Sequence, residues 1–212
     1  MEKEKVSKVV TVTVVERPAR KLIFLRHITA TDYFSACEEV GCEWEGYFKS
    51  IPEAFDTGAG GRLPKSLIRP ETSGNAFFVE VPLEYDKPLP DGYEIAELPP
   101  CTYLYFNGMP FEDQYNFSIA IEILNEAIEN YPFEQFGWKR SDKAPVLGMG
   151  AEAETGARTA VPWRRFKISV YKEADTTHKE YLPYRTRLRK IFPFYTVKKL
   201  YKRLLLLSLN EI

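Results

Sequence analysis

The strongest constraint on the fold of this chain is that its sequence repeats itself after about 80 residues. Three pairs of short matches occur in the same order: residues 14–18 and 22–25 with 95–99 and 103–106, Phe34-Ser35 with Phe117-Ser118, and Val81-Pro82 with Val161-Pro162. A unit of this length is too long for a solenoid repeat and has the size of a small supersecondary module. Because two such modules usually pack about a pseudo-twofold axis, the seam between them is a natural place for a ligand.

The first repeat has the hydrophobic pattern of a strand, a helix and a later strand. Residues 9–15 are rich in Val and Thr and predict a strand. Thr29 or Thr31 is predicted to cap a helix that extends through Trp44, and residues 76–83 predict a further strand. This order of elements is typical of an α+β module.

The second repeat shows the same order more completely. Residues 93–106 repeat the opening strands, and residues 112–131 have apolar side chains at helical spacing with glutamates on the opposite face. Two strands are then predicted over residues 144–149 and 158–161. The second repeat therefore reads as strand, helix, strand and strand.

We accordingly predict an α+β fold with two strand-helix-strand-strand modules, at about residues 9–86 and 93–171, related by pseudo-twofold symmetry. Their antiparallel strands are expected to form a concave groove beneath two helices. The Gly-rich residues 56–75 predict a loop that either replaces or hides the middle strand of the first module. The domain is expected to span residues 1–171, with a helical extension over 172–212.

The extension differs from the body in charge. Residues 172–212 contain ten Lys or Arg and four Asp or Glu, whereas the whole chain has a net charge of −1, so the body is acidic. Residues 197–209 predict a short basic amphipathic helix. It either packs on this protein or a second copy, or contacts a partner protein or an anionic membrane surface. An acidic body is not typical of a dedicated nucleic-acid-binding domain.

Cysteine and histidine are too sparse to build a metal site. The three cysteines, Cys37, Cys42 and Cys101, lack CxxC spacing, and the two histidines are far apart in the sequence. We therefore expect no disulfide framework, no metal and no cofactor. The sequence also lacks a signal peptide, which favours a cytoplasmic protein.

Five short segments carry a family resemblance: Glu16-Arg17-Pro18-Ala19-Arg20, Cys37-Glu38-Glu39-Val40-Gly41-Cys42, Val79-Glu80-Val81-Pro82-Leu83-Glu84-Tyr85, Leu98-Pro99-Pro100-Cys101 and Glu126-Ala127-Ile128-Glu129. In this order they resemble the GyrI-like small-molecule-binding family, in particular the effector-binding domain of AraC-type transcription regulators. The resemblance covers about residues 9–165. It implies two modules with a lipophilic, often cationic, ligand in the groove between them, in proteins that include multidrug sensors.

Two departures from the family pattern bear on function. The DNA-binding helices of AraC-type regulators are absent, so we expect no direct DNA binding. The family often keeps a buried glutamate on the last strand of the second module, where it meets a cation. When the sequence is aligned on Val161-Pro162, that position falls near Arg158 instead of an acid.

Glu80 is the candidate acid of the ligand site because it interrupts an apolar run over residues 77–81. A carboxylate on an apolar sheet face has a raised pKa unless it is paired, and it suits cation binding or general acid–base chemistry. In the alternative, strict alternation along the strand directs Glu80 to solvent and Val79 and Val81 to the core.

Five aromatic residues are candidate walls of the pocket because flat aromatic faces suit apolar or cationic ligands. They are Trp44, Tyr47, Tyr103, Tyr105 and Trp163. The alternative for each is ordinary core packing. With Glu80 and Arg158, these residues make up the predicted ligand site.

The favoured function is a stand-alone protein that senses or sequesters a lipophilic ligand, with cationic ligands included. One alternative is a hydrolase of cyclopropane-bearing or similar electrophilic compounds, in which Glu80 activates water. The other is a regulatory partner protein that acts through its basic tail. A homodimer is compatible with all three.

Overall fold

The computed structural model describes residues 6–166, which form nine strands and three α-helices. The strands are β1 (Val10–Arg17), β2 (Arg20–Arg26), β3 (Ala59–Arg62), β4 (Asn75–Pro82), β5 (Glu94–Leu98), β6 (Cys101–Gly108), β7 (Trp138–Arg140), β8 (Leu147–Glu152) and β9 (Gly156–Arg165). The helices are α1 (Tyr33–Val40), α2 (Trp44–Lys49) and α3 (Phe117–Asn130). The predicted extension over residues 172–212 lies outside the described residues.

The strands form one antiparallel sheet in which the strand order is symmetric with respect to the two repeats. The order is β1-β6-β9-β8-β3-β4-β2-β5, with β7 paired to β9 beside this path. When each strand is replaced by its repeat counterpart (β1 and β5, β2 and β6, β3 and β8, β4 and β9), the result is the same strand order read from the opposite edge of the sheet. The pseudo-twofold axis therefore passes between β3 and β8, where Gly60 pairs with Gly148. This arrangement confirms the predicted α+β fold.

The two modules exchange their first strands. β1 pairs with β6 of the second module, and β5 pairs with β2 of the first. Val15 lies opposite Tyr103 and Ala96 lies opposite Leu22, so the offset of 81 residues read from the sequence is also the offset in the sheet. Each module thus depends on the other for one edge of its sheet.

The third match in the sequence, Val81-Pro82 with Val161-Pro162, aligns the two modules incorrectly by two residues. Leu22 lies opposite Glu80, and its counterpart Tyr103 lies opposite Pro162. Strand pairing therefore makes Pro162, and not Ala160, the counterpart of Glu80. The shared Val-Pro phrase does not mark equivalent positions in the two strands.

The first module also differs in detail from its predicted elements. Asp32, and not Thr29 or Thr31, caps α1, because its side chain accepts hydrogen bonds from the backbone N–H groups of Phe34 and Ser35. The predicted single helix ends before Gly41, whose φ of 84° is not helical, and α2 starts afresh. The missing middle strand is β3, which is hidden inside the Gly-rich segment.

The helices cover one face of the sheet. α1 and α2 pack on Ile23, Phe77 and Val79, and α3 packs on Leu104 and Phe106. The opposite face has its own core, which includes Leu22, Phe24, Phe78, Tyr103 and Tyr105. Strands β2, β4 and β6 are therefore buried on both faces, which explains their nearly continuous apolar sequences.

The sheet curls until distant strands meet on the face without helices. The Tyr103 hydroxyl of β6 donates a hydrogen bond of 2.9 Å to Glu80 of β4, although three strands separate β6 from β4 in the sheet. This contact closes the inner core between the two halves. Within residues 6–166, no helix is long and apolar enough to cross a membrane.

Candidate functional site

A groove lies on the helix-covered face, directly over the seam between β3 and β8. It has a volume of about 560 Å³ and is called the seam groove below. Its walls come from α1 and α2 on one side and from Ile121 and Leu124 of α3 on the other. The predicted groove between the modules therefore exists, and its size falls in the range of small-molecule sites.

Glycine makes the floor of the seam groove. Gly60, Gly61, Gly148 and Gly150 line it, so backbone is exposed where side chains would otherwise fill the space. Close strand approach requires glycine here, because a Cβ atom on Gly148 would lie only 2.8 Å from the carbonyl oxygen of Gly60. The Gly-rich stretch of the sequence thus shapes a pocket floor.

Stacked aromatic rings form the wall on the side of the first module. The Trp44 ring stacks on Phe77 with centroids 4.1 Å apart, and His27 meets the same Phe77 ring edge-on at 4.5 Å. Tyr33 packs edge-on against Phe77 at 5.9 Å and is half exposed at the groove mouth. A flat apolar ligand would find complementary ring surface along this wall.

Two ring nitrogens in the wall have no hydrogen-bond partner among the described residues. They are Nε1 of Trp44 and Nε2 of His27, and their side chains are 6% and 4% exposed. Buried polar atoms are rarely left unpaired, because each unmade hydrogen bond costs about 1–3 kcal/mol. The wall therefore contains two polar ring atoms whose hydrogen bonds residues 6–166 do not make, and both are covered by neighbouring groups.

The burial of His27 predicts a loss of stability in mildly acidic solution. Burial lowers the pKa of His27 below its ordinary 6.5, against the opposing charge of Glu39. Below about pH 6.5 the unfolded chain binds a proton that the folded chain binds only at lower pH, so the free energy of unfolding falls as the pH drops through this range. Urea unfolding should show that the free energy of unfolding decreases less between pH 7.5 and pH 5.5 for His27→Gln than for the wild type. An equal decrease in the two proteins would contradict the interpretation that His27 is buried as a neutral imidazole.

The charged groups around the groove are of both signs. Asp32 is engaged in capping α1, and Glu45 pairs with Lys49 at 2.6 Å. Arg158 lines the groove on β9 and has no carboxylate within 4.0 Å among residues 6–166. Two of the three carboxylates at the groove are thus already bonded, whereas Glu152 and the Arg158 guanidinium have no ion pair among residues 6–166.

Glu80 lies outside the seam groove, on the other face of the sheet, in a buried ion pair. Its Oε1 is 2.6 Å from Nη2 of Arg20 and also accepts the 2.9 Å hydrogen bond from Tyr103. Arg20 is fully buried and Glu80 is 4% exposed. Neither expected environment of Glu80, an open ligand site or solvent, describes it. We call Arg20, Glu80 and Tyr103, with the residues they bind, the Arg20–Glu80 cluster.

The cluster continues outward through a second set of contacts. Nε of Arg17 is 3.7 Å from Glu80, and Nη2 of Arg17 donates to the Tyr105 hydroxyl at 2.8 Å. The Tyr105 hydroxyl in turn donates to Asp56 at 3.0 Å. Burial, with the neighbouring charge of Glu80 or Asp56, raises the pKa of both Tyr103 and Tyr105, so both remain neutral donors. The cluster ties the modules together.

The structure divides the predicted site residues among four places. Trp44 and Arg158 line the seam groove, whereas Glu80, Tyr103 and Tyr105 converge on the Arg20–Glu80 cluster. The other two aromatic residues pack separately, Tyr47 edge-on against Tyr93 and Trp163 flat on Phe133 at 3.6 Å. These seven residues therefore do not form one cavity.

Sequence reasoning missed three lining residues, His27, Tyr33 and Phe77. His27 follows β2 and Tyr33 begins α1, whereas Phe77 lies within β4, so no shared sequence signal identifies the three.

Comparison with known proteins yields distant structural likenesses only. No family model and no curated protein matches the sequence. The chain is similar to EcmrR in its complex with DNA (12% identity, TM-score 0.42), over 78% of this chain and 61% of EcmrR. It is similar to the EcmrR C-terminal domain (13% identity, TM-score 0.42), over 74% of this chain and 99% of that domain. It is also similar to a putative transcription regulation protein from Staphylococcus aureus MU50 (14% identity, TM-score 0.41), over 73% of this chain and 98% of that protein.

Proposed function

We propose that this protein binds a lipophilic small molecule with a planar ring in the seam groove, and that it senses or sequesters that molecule in the cytoplasm. The observation that carries the proposal is the pairing of a stacked aromatic wall with two buried, unpartnered ring nitrogens. Apolar surface supplies affinity in such sites, and a few placed polar groups supply orientation. Both features lie on the seam that the sequence repeat predicts.

The polar end of the ligand is proposed to be a hydrogen-bond acceptor or an acid. Trp44 Nε1 can only donate, and the Arg158 guanidinium carries only donors and a positive charge. The acid that the sequence suggested for a cation, Glu80, is bound to Arg20 on the other face of the sheet. Because Glu80 is also closed to water, the geometry does not favour hydrolysis through this residue.

A matched set of naphthalene compounds tests both parts of the proposal. We expect 2-naphthoate to raise the melting temperature most, 2-naphthylmethanol less, and the naphthylmethyl-trimethylammonium ion least. At about ten times Kd the stabilisation is about 1.4 kcal/mol, or about 3–5 °C. Arg158→Gln should remove the advantage of the carboxylate. The proposal fails if none of the three compounds shifts the melting temperature.

Filling the groove provides the site control for this experiment. Thr159→Trp places a large side chain on the β9 position that lines the seam groove, and it should abolish the shift. Thr13→Trp adds the same side chain at an exposed position on the edge strand β1, and it should preserve the shift. Equal shifts in the two variants would place ligand binding elsewhere.

A further inference from the structure

A second groove, whose charged side chains are mainly basic, lies at the ends of β3, β6 and β9. It is bordered by residues 62–70 after β3, by residues 138–146, and by the adjoining ends of β6 and β9. Its volume of about 1430 Å³ exceeds the usual range of drug-sized pockets. Seven basic residues line it, and we call it the basic groove: Arg62, Lys65, Lys139, Arg140, Lys143, Arg164 and Arg165.

The charge of this groove contrasts with the rest of the described chain. Residues 6–166 contain 16 Lys or Arg and 24 Asp or Glu, yet seven of the 16 cations and only two of the 24 acids, Glu16 and Asp142, line the basic groove. All seven cations are exposed, and none is within 4.0 Å of a carboxylate in the described part of the chain. Such segregation concentrates a positive field on one surface.

The sheet holds two of these cations directly against each other. Lys139 of β7 lies opposite Arg164 of β9, with Arg140 and Arg165 next to them along the two strands. Like charges at directly opposed positions destabilise an antiparallel pair. An anion bound between them would remove this repulsion, so the register itself points to a negatively charged ligand.

An unpaired donor in the same groove supports this assignment. The Trp163 side chain is 8% exposed, and its Nε1 has no acceptor among residues 6–166. Trp138 lies beneath the Arg165 guanidinium at 4.9 Å and is also buried. Because both indole rings are buried, the groove lacks the exposed aromatic surface that the centre of a protein interface usually has.

From these features we propose that the basic groove binds the phosphate backbone of a nucleic acid. Seven exposed cations around one large depression suit a chain of phosphates better than a single small anion. Among the described residues that line the groove, the two aromatic rings are buried and not open to a base, so the contacts are to phosphate and carry little sequence information. In this mode the sheet and its loops supply the contacts, so no AraC-type DNA-binding helix is required.

Fluorescence anisotropy of the full chain with a labelled 20-nucleotide single strand and a 20-base-pair duplex tests the proposal. With five to seven phosphate contacts, the slope of log Kobs against log salt should be about −4.5 to −6.3 for the duplex and about −3.5 to −4.9 for the single strand. Kd should be about 10⁻⁴–10⁻⁶ M at physiological salt. No binding to either probe at 50 mM salt would overturn the proposal.

Arg164→Glu separates a binding role from a structural role. It should weaken binding at least about tenfold at 0.1 M salt and reduce the slope by about 1. It also places opposite charges across β7 and β9, so the melting temperature should rise by about 1–3 °C. Lys8→Glu makes the same change in net charge at an exposed position outside the groove and should have a smaller effect on binding. The proposal is wrong if the two variants weaken binding equally.

Polyglutamate of matched charge serves as the competitor that identifies the partner class. It should displace the nucleic acid only at a large excess. If polyglutamate competes as well as unlabelled nucleic acid at equal charge, the groove recognises acidic protein segments and the nucleic-acid proposal is overturned.

Discussion

Glu80→Gln is expected to lower the free energy of unfolding by about 3–5 kcal/mol, the usual effect of removing one partner from a buried ion pair. Arg20 has no exposed surface and rests on Glu80 at 2.6 Å. Hydrogen bonding to Glu80 and the charge of Glu80 raise the pKa of Arg20 above its ordinary value, although burial alone would lower it. Because the ordinary pKa of arginine lies far above neutral, the guanidinium stays charged in the variant and is buried without its counter-ion.

Urea unfolding of the full chain measures this effect, with Glu84→Gln as the matched control. Glu84 is exposed and has no cation within 4.0 Å in the described part of the chain, so its substitution should change stability by less than about 0.5 kcal/mol. The double variant Arg20→Met/Glu80→Leu should recover much of the loss, since it removes both charges of the buried pair. Similar stabilities for Glu80→Gln and Glu84→Gln would contradict a structural ion pair.

Gly148→Ala is expected to destabilise the protein by about 1–3 kcal/mol because the seam has no room for a methyl group. The added Cβ atom would lie 2.8 Å from the carbonyl oxygen of Gly60. That oxygen belongs to the backbone of β3, so relief requires the two strands to move apart where the halves of the sheet join.

Gly46→Ala is the matched control, and its effect should have the opposite sign. Gly46 lies inside α2, and a Cβ atom there would meet nothing within 4 Å. Alanine in a helix is favoured over glycine by about 1 kcal/mol, so this variant should be more stable than the wild type. If both substitutions stabilise the protein, the seam is looser than the strand pairing indicates.

The repeat was sufficient to predict the architecture but not its finer alignment. Matching residues 14–25 with 95–106 predicted equivalent strands, and Val15–Tyr103 and Ala96–Leu22 are equivalent pairs in the sheet. The Val-Pro match failed because a two-residue shift keeps every side chain on the same face of a strand. Periodicity therefore could not detect the error.

The site was harder to predict because contacts across the sheet depend on its curl. The sequence pattern assigns Tyr103 and Tyr105 to one face of a strand, as observed, but it does not say which other strand that face meets. Glu80 was placed either in a pocket or in solvent because its partner Arg20 is 60 residues away in the sequence. Phe77 lies beneath Trp44 of α2, and α2 is separate from α1 because the chain leaves helical geometry at Gly41.

The exchange of first strands has a consequence for how the chain folds during synthesis. Residues of β1 are separated from their partners in β6 by 84–98 positions, since Arg17 pairs with Cys101 and Val10 with Gly108. At about 5–20 residues per second, β1 waits roughly 4–20 s for its partner to emerge from the ribosome. Throughout that interval a strand rich in Val and Thr has an unpaired edge, the kind of segment on which other chains aggregate. A ribosome that stalls before Gly108 therefore holds a nascent chain in need of a chaperone.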